Sequence, residues 1–435
     1  MEAKDSKLSG NKGRFRGTIR KWFSGIPSLG WLIGALVAVI LENLVGDPLT
    51  EVLGLPKIPV LFGFVTVLKK PQLIPSIIIF VFLIYVLPIS VVARLCAAPA
   101  NKLAEKFLKF PIGFSAVIHL ALLYAILHIW CDISAYRVLT LKLTLIAVIL
   151  TLSLNVINGY MGEFSCSHPG FMALGAYGAS IFTLILFVDD KLFGTALLPA
   201  ALGPFMFPIA LIIGGLIAAV GALVVAIPSF RTRGDYLAII SLAFLFIVKS
   251  MIENMEVVGG PRGLSSQPNW SNLPTVFVWT VISVWVINNF VRSTFGKALN
   301  AVRDDEMAAD AMTVNTRRTK IVAFMFAAFW AGVAGGLFAH VLRYVNPGTF
   351  GIQKLAEVLA MVYLGGLNSV VGSIVGAVGM SLLSEALRPL EIFKWIIIPL
   401  MLILVMVYRP TGLIAFREFD VHKLLKPKMR REKEV

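Results

Sequence analysis

The chain has 435 residues, of which 58% are hydrophobic and only 14% charged, and its formal net charge is +15. Water-soluble domains are about 45–50% apolar and about 25% charged, so this composition excludes an ordinary soluble protein. The apolar runs approach the ~20 residues that an α-helix needs to cross a bilayer, and they lack the period-two alternation of a membrane β-barrel. We therefore predict an all-α polytopic membrane protein with about 10–12 transmembrane or re-entrant helices.

Positive charge marks both ends of the chain. The tails 1–28 and 409–435 are rich in Lys and Arg, and the positive-inside rule assigns such tails to the cytoplasm. We interpret this charge as a topology signal rather than as a nucleic-acid surface.

The predicted spans follow in chain order. They cover residues 29–45, 73–92, 112–130, 138–157, 171–188, 205–227, 236–252, 276–291 and 321–341, a compound segment 355–387, and residues 395–408. The first two spans have long connections, so we assign 29–111, which ends in a basic loop, to an N-terminal accessory region. Residues 112–408 form the predicted transmembrane core.

Span parity tests this assignment. With the N-terminus inside, the basic loops 94–111 and 229–235 and the polar segment 292–320 also fall inside, and the loop 253–274 falls outside. The basic C-terminus falls inside only if residues 355–387 cross twice or re-enter. Their middle, "GGLNSVVG" (365–372), contains the glycines and Asn368 that a tight reversal within the membrane would use.

Two glycine-broken segments, one in each half, point to a substrate pathway near the middle of the membrane. The first is "NGYMGEFSCSHPGFMALGAYGAS" (158–180) and the second is the "GGLNSVVG" reversal. Close helix packing is the alternative explanation for each segment, and His168 either caps a helix or lines the pathway. The candidate pathway residues are Gly162, Ser165, His168, Gly170, Phe171, Gly175, Tyr177, Gly365, Gly366 and Asn368.

No catalytic or metal-binding pattern is present in the sequence. The histidines are scattered, the three cysteines have no metal-ligand spacing, and no GxxxxGK[ST] phosphate loop occurs. We therefore expect no enzyme activity on this chain. The few ionisable residues within spans are interpreted as side chains that reach toward the membrane surface, which weakens an ion-coupled mechanism; they are Glu42, Lys142, Lys249, Glu357 and Glu385.

The segment 292–320, "RSTFGKALNAVRDDEMAADAMTVNTRRTK", is polar in an otherwise apolar region. On a helical wheel Ala298, Val302, Ala309 and Met312 share one arc with Asp305. Acidic residues precede basic ones, as the helix dipole favours. We predict a short exposed helix, which is either a solvated loop helix or a surface for a partner.

The segment resembles the "EAA" coupling loop of ABC importer permeases, and specifically that of the branched-chain amino acid permease family, M-type subunit. Further similar patches occur in order over roughly 139–414. They are "LSLNVINGYMGEFSCSHPGFMALGAY" (152–177), "RTRGDYLAIISLAF" (231–244), "GGPRGLSS" (259–266), "LAMVYLGGLNSVVGSIVGA" (359–377) and "YRPTGLI" (408–414).

The resemblance implies the architecture of an ABC importer permease. Its partners would be a second permease subunit, two cytoplasmic ATPases and a periplasmic or extracellular binding protein, in a bacterial cytoplasmic (inner) membrane. ATP and Mg would bind to the ATPases, and this chain would hold no cofactor. The substrates would be branched-chain amino acids, with urea, amides and other amino acids as related possibilities.

The resemblance also implies which residues meet the ATPase. They are Phe295, Gly296, Ala298, Arg303, Asp305, Glu306, Ala308, Ala309, Ala311 and Thr313. The sequence departs from the family at Thr313, where glycine is usual, and at Glu163 and Ser167. The alternatives are an ion-coupled secondary transporter or channel that works without an ATPase, and a membrane scaffold protein.

Overall fold

The computed structural model describes residues 25–60, 63–108, 110–189, 194–230, 236–409, 411–415, 419–420 and 425. Most of both basic tails and the basic loop 231–235 lie outside the described residues. By its internal contacts the chain divides into two compact units, Met1–Arg137 with Asp420–Val435, and Val138–Phe419. The first unit thus includes the third predicted span, whereas we placed the end of the accessory region at residue 111.

The first unit consists of apolar helices around a small core. Its helices are α1 (Ser28–Val52), α2 (Phe64–Lys69), α3 (Ile74–Val81), α4 (Leu87–Leu95), α5 (Ala97–Leu108) and α6 (Ile112–Asp132). A π-helical turn, Phe82–Val86, joins α3 to α4, so that Pro71–Leu95 forms one span of 25 residues. Its core contains Leu55, Ile77, Phe80 and Ile84.

A buried ion pair lies inside this unit. Arg137 Nη2 donates to Glu42 Oε1 at 2.8 Å, and neither side chain is exposed. The Tyr85 hydroxyl donates to the other Glu42 oxygen, and Arg137 also donates to the Pro59 carbonyl. The prediction that Glu42 reaches the membrane surface is therefore wrong, because Arg137 satisfies its charge in the interior.

The second unit contains the remaining helices. They are α7 (Ala135–Asn155, which begins in the first unit), α8 (His168–Phe187), α9 (Gly203–Ser229), α10 (Tyr236–Asn254), α11 (Leu273–Arg292), α12 (Thr294–Asp304), α13 (Glu306–Ala311), α14 (Thr316–Leu342), α15 (Ile352–Gly365), α16 (Val370–Ala386) and α17 (Glu391–Tyr408). A short antiparallel pair, β1 (Leu264–Ser265) and β2 (Tyr344–Val345), joins two loops. Within the described residues, nine helices are long and apolar enough to span a membrane, which confirms the all-α polytopic class.

Small residues allow α8, α9 and α14 to pack closely at the centre of this unit. A Cβ at Gly175 would overlap the backbone of Gly332, and one at Gly335 would overlap the Met172 carbonyl. Close approach of small-residue faces is the usual means of helix association in membranes, because lipid removes most of the hydrophobic driving force. These contacts hold α8, α9 and α14 together as the packed centre of this unit.

The compound segment forms a helical hairpin, as the "GGLNSVVG" pattern predicted. Helices α15 and α16 have 14 and 17 residues, or about 21 and 26 Å, which is less than the ~30 Å hydrocarbon core of a bilayer. Gly366 (φ 128°) and Asn368 (φ 54°) make the reversal. The helix lengths favour a re-entrant hairpin over two full crossings.

Candidate functional site

The predicted coupling segment consists of two helices rather than one. Helix α12 ends at Asp304, and Asp305 is extended (φ −158°, ψ 107°). The Asp305 carboxylate accepts the backbone N–H groups of Met307 (2.9 Å) and Ala308 (3.0 Å) and so caps α13. The single helical arc through Asp305 is therefore wrong, because aspartate is a much better N-cap than an interior helix residue.

The coupling residues divide into an anchored and an exposed set. Gly296 and Ala309 are buried, and Phe295 packs against Phe290 with a ring separation of 5.2 Å. Ala298 and Arg303 are half-buried. The exposed positions are Asp305, Glu306, Ala308, Ala311 and Thr313.

Two methionines extend the exposed face of this segment. Met307 is 69% exposed and Met312 is 77% exposed. Methionine is flexible and polarisable, and it is common on surfaces that bind partners. The helical wheel placed Met312 on the apolar arc but not Met307. The wheel assumed one continuous helix, whereas the break at Asp305 changes which side chains share a face.

Thr313 completes a Schellman motif at the end of α13. Its φ is +69°, its N–H donates to the Asp310 carbonyl at 3.0 Å, and the Val314 N–H donates to the Ala309 carbonyl at 3.1 Å. In this hydrogen-bond pattern the residue after the C-cap has a left-handed conformation, which glycine adopts most easily. The family's glycine position thus keeps a left-handed conformation here although it carries a β-branched residue.

Lys320 connects the coupling segment to the first glycine-broken segment. Its Nζ donates to Glu306 Oε2 at 2.9 Å and to Glu163 Oε1 at 2.7 Å, and Lys320 is only 8% exposed. Glu163, one of the positions where the sequence departs from the family, thus has a definite partner in Lys320. Lys320 lies in α14, so it does not simply follow the end of α13 as the charge order suggested.

Arg303 makes a second connection between the same two segments. Its Nη1 donates to the Gly159 carbonyl at 3.3 Å. A Cβ at Gly162 would overlap the aliphatic part of Arg303. Because Gly162 has φ +78° and no side chain, the arginine can lie directly against the backbone at this point.

The first glycine-broken segment is a true interruption of the helix. A π-helical turn, Val156–Met161, ends at Gly162, and α8 begins at His168 without a side-chain cap. Between them Ser165 is buried, and its N–H donates to Asn158 Oδ1 at 3.2 Å. Irregular backbone at membrane depth requires such internal partners, and the protein supplies them here.

Asn155 links the two glycine-broken segments. Its Nδ2 donates to Ser373 Oγ at 2.6 Å and to the Ser369 carbonyl at 3.1 Å. Its Oδ1 accepts the Asn368 N–H at 3.1 Å. Asn155 is fully buried and satisfies the turn of the α15–α16 hairpin, yet we did not predict it; an asparagine at the end of an apolar helix, in "LSLNVINGY", was the available signal.

The predicted pathway residues therefore fall into two groups. Gly162 and Ser165 belong to the first break. Asn155, which immediately precedes that break, contacts Gly366 and Asn368 in the second break, where Gly365 also lies. A cavity of about 350 Å³ lies beside this junction and is lined in part by Asn368, Arg292 and Lys297.

The other candidates lie in close-packed contacts. Phe171 is buried between Phe244 and Phe324 with ring separations of 5.3 and 5.4 Å. The His168 ring is fully buried and meets the Phe171 ring edge-on at 5.9 Å. The remaining members, all buried as well, are Gly170, Gly175 and Tyr177.

Comparison with known proteins points to the family that the sequence resembles. The family model "Branched-chain amino acid transport system / permease component" matches residues 136–406. The high-affinity branched-chain amino acid transport system permease protein LivM of Escherichia coli (strain K12) is 33% identical over 62% of this chain and 68% of that protein. BraD, named as the corresponding permease of Pseudomonas aeruginosa, is 26% identical over 33% of this chain and 48% of its own length.

A more distant relative is the autoinducer 2 import system permease protein LsrC of Photorhabdus luminescens, with 25% identity over 30% of this chain and 41% of that protein. No solved structure matches the chain. The family match covers most of the chain, and it includes the coupling segment and both glycine-broken segments. The chain therefore belongs to the branched-chain amino acid transport system permease family.

Proposed function

We propose that this chain is one of two permease subunits of an ATP-driven importer for branched-chain amino acids in a bacterial cytoplasmic membrane. A binding protein delivers the amino acid, and two separate ATPases, which hold ATP and Mg, drive its passage. The names of the relatives support the substrate class. The observation that carries the proposal is the exposed helix α13, which Lys320 ties to the first glycine-broken segment.

Helix α13 has the properties of a docking element. Its exposed Ala308, Met307 and Met312 offer a small apolar surface, and the rigid Asp305 cap and the Schellman motif fix both of its ends. A helix of six residues is too short to be stable on its own. Its contacts to α14 and the rest of the unit keep it folded and ready to seat in a groove of the ATPase.

Movement of α13 passes to the membrane region through ionic and steric contacts. Glu306 moves with α13 and pulls Lys320 and Glu163, while Arg303 presses on the backbone at Gly159 and Gly162. Asn155 extends this connection to the hairpin turn. Because the two contacts of Lys320 are short, charge-assisted hydrogen bonds, closure of the ATPases shifts both glycine-broken segments together.

The decisive experiment places a large, positively charged side chain on the exposed face of α13. Ala308→Arg, in a complex reconstituted with both ATPases, the second permease and the binding protein, is expected to retain assembly in the membrane while leucine uptake falls about tenfold or more. Ala98→Arg, the same substitution at an exposed alanine of α5, is the matched control. Ala309 is unsuitable for this test because it is only 5% exposed.

Unchanged uptake with Ala308→Arg would contradict the docking role, and so would an equal loss in the Ala98→Arg control. Loss of membrane expression would instead assign Ala308 a structural role. ATP hydrolysis and leucine uptake are measured in the same preparation, so that uncoupling is separated from loss of the ATPases.

A further inference from the structure

A second cavity in the Val138–Phe419 unit lies at the opposite end of α14 from the coupling segment. Its volume is about 180 Å³, and α7, α8 and α14–α17 surround it. Phe338 of α14 lines it, and this residue is 18 positions beyond Lys320, or about 27 Å along the helix. The cavity therefore lies on the side that our topology assigns to substrate delivery.

Charged side chains of both signs line this cavity. They are Lys354 and Glu357 on α15, Glu385 on α16 and Lys394 on α17. Lys354 Nζ donates to Glu357 Oε2 at 3.0 Å, and each of these side chains retains about a fifth of its exposure (18% and 21%). Charged groups within membrane helices are costly and face functional cavities or one another. This cavity, rather than the membrane surface, accounts for Glu357 and Glu385.

An apolar wall faces the charges. It is formed by Ala147 and Leu150 of α7, Met172 of α8 and Phe338 of α14. The volume slightly exceeds the ~150 Å³ of an apolar cavity that holds benzene, and it lies below the ~300–1,000 Å³ of sites for drug-sized ligands. A single small molecule with one apolar group fits this size.

We propose that this cavity binds a zwitterionic α-amino acid with an uncharged apolar side chain. The substrate carboxylate accepts hydrogen bonds from Lys354 and Lys394, and its ammonium donates to Glu357, so the zwitterion inserts into an arrangement of matching charges. The side chain lies against Ala147, Leu150 and Met172. This inference rests on the proposed importer function and adds to it the site that holds the substrate during passage.

The balance of charge sets the substrate class. Two lysines and two glutamates line the cavity, and Glu385 also accepts from Arg388, an exposed side chain, at 3.0 Å. A net-neutral zwitterion gives these partly buried charges a further partner without adding an unpaired one. A substrate that carries an additional charge on its side chain leaves that charge against the apolar wall, at a large desolvation cost.

The test compares variants of the Lys354–Glu357 pair in the complete complex in proteoliposomes, with binding protein loaded with L-leucine. Glu357→Gln and Lys354→Met are each expected to lower leucine uptake about tenfold or more, because a charged hydrogen bond to substrate is lost. ATP hydrolysis stimulated by the binding protein is expected to stay within about twofold. The matched control is Lys249→Met, which removes the partner of Glu253 in an exposed pair on α10.

The charge-swapped double variant, Lys354→Glu with Glu357→Lys, separates substrate binding from structure. A merely structural pair regains function when swapped, so recovery of leucine uptake would overturn the proposal, and continued loss supports it. Ala147→Leu keeps all four charges and narrows the cavity at its apolar wall. Because leucine is the larger substrate, its uptake is expected to fall about tenfold more than that of L-valine.

Equal effects of Ala147→Leu on the two substrates would also overturn the site, and this variant decides the question if the charge variants fail to assemble. A different result would contradict the proposed importer function itself, namely that the unaltered complex shows no ATP-dependent uptake.

Discussion

Replacement of Lys320 by methionine tests the connection between the coupling segment and the membrane region. The substitution keeps the length of the side chain but removes the ammonium group that holds Glu306 and Glu163 together. Glu306 is half exposed (50%), so its pair with Lys320 is expected to contribute about 0.5 kcal/mol. The side chain of Glu163 is 26% exposed and that of Lys320 only 10%. This second pair therefore lies between the surface value and the ~3–5 kcal/mol of a fully buried pair, at about 1.5 kcal/mol.

Only the pair with Glu306 holds α13, by about 0.5 kcal/mol, whereas the pair with Glu163 favours attachment of the first glycine-broken segment to α14 by about 1.5 kcal/mol, or roughly tenfold in the equilibrium constant. Amide hydrogen exchange of Glu163 and Ser165, whose N–H groups donate to the Ile157 carbonyl and to Asn158 Oδ1, measures this local opening. Lys320→Met is expected to speed exchange there by about that factor and to reduce leucine uptake per ATP hydrolysed.

Lys249→Met is the control for this substitution, because its 3.7 Å pair with Glu253 is about one-third exposed on both sides and is expected to contribute under ~1 kcal/mol. Unchanged exchange at Glu163 and Ser165, or a change no larger than the local effect of Lys249→Met on α10, would refute the connection through Lys320.

Three further predictions concern single side chains. Thr313→Gly relieves a left-handed threonine and is expected to stabilise the end of α13 by about 1 kcal/mol, seen as slower amide exchange; faster exchange would show that the threonine side chain is itself required. Asn155→Leu leaves the backbone groups of the hairpin turn without a partner and is expected to lower uptake with ATP binding intact, and normal uptake would dismiss the link between the two breaks. Arg137→Met leaves the buried Glu42 carboxylate with the Tyr85 hydroxyl but without its cationic partner, and is expected to cost about 3–5 kcal/mol, measured as a lower melting temperature of the purified protein. The double variant with Glu42→Gln should recover part of this loss, and a single variant as stable as the original chain would contradict the account of this pair.

Span positions could be predicted from the sequence because long apolar runs depend only on local composition. The helix Leu273–Arg292, for example, begins three residues before the predicted span and ends one residue beyond it. The hairpin reversal was also predictable, since glycines and an asparagine in "GGLNSVVG" permit the positive φ values that the turn adopts. The resemblance to a known family predicted a coupling role for residues 292–320, which stays a prediction, and drew attention to Thr313.

The connections between these segments could not be predicted from the sequence. Lys320 and Glu163 are separated by 157 residues, and Asn155 and Ser373 by 218, so no local pattern indicates either pair. Glu42 shows the same difficulty, because a lone carboxylate in a span resembles a snorkelling residue until Arg137 is brought beside it. The break at Asp305 was missed because the helical wheel was continued across a strong capping residue.

The central claim is that this permease works with ATPases through α13, and uptake of labelled leucine into proteoliposomes tests it most directly. The complete complex with binding protein is expected to accumulate leucine when ATP is supplied to the ATPases, and to lose this uptake when Ala308→Arg is introduced. Without the ATPases, a proton or sodium gradient is expected to drive no accumulation. Gradient-driven leucine uptake by this chain alone would contradict the account and favour a secondary transporter.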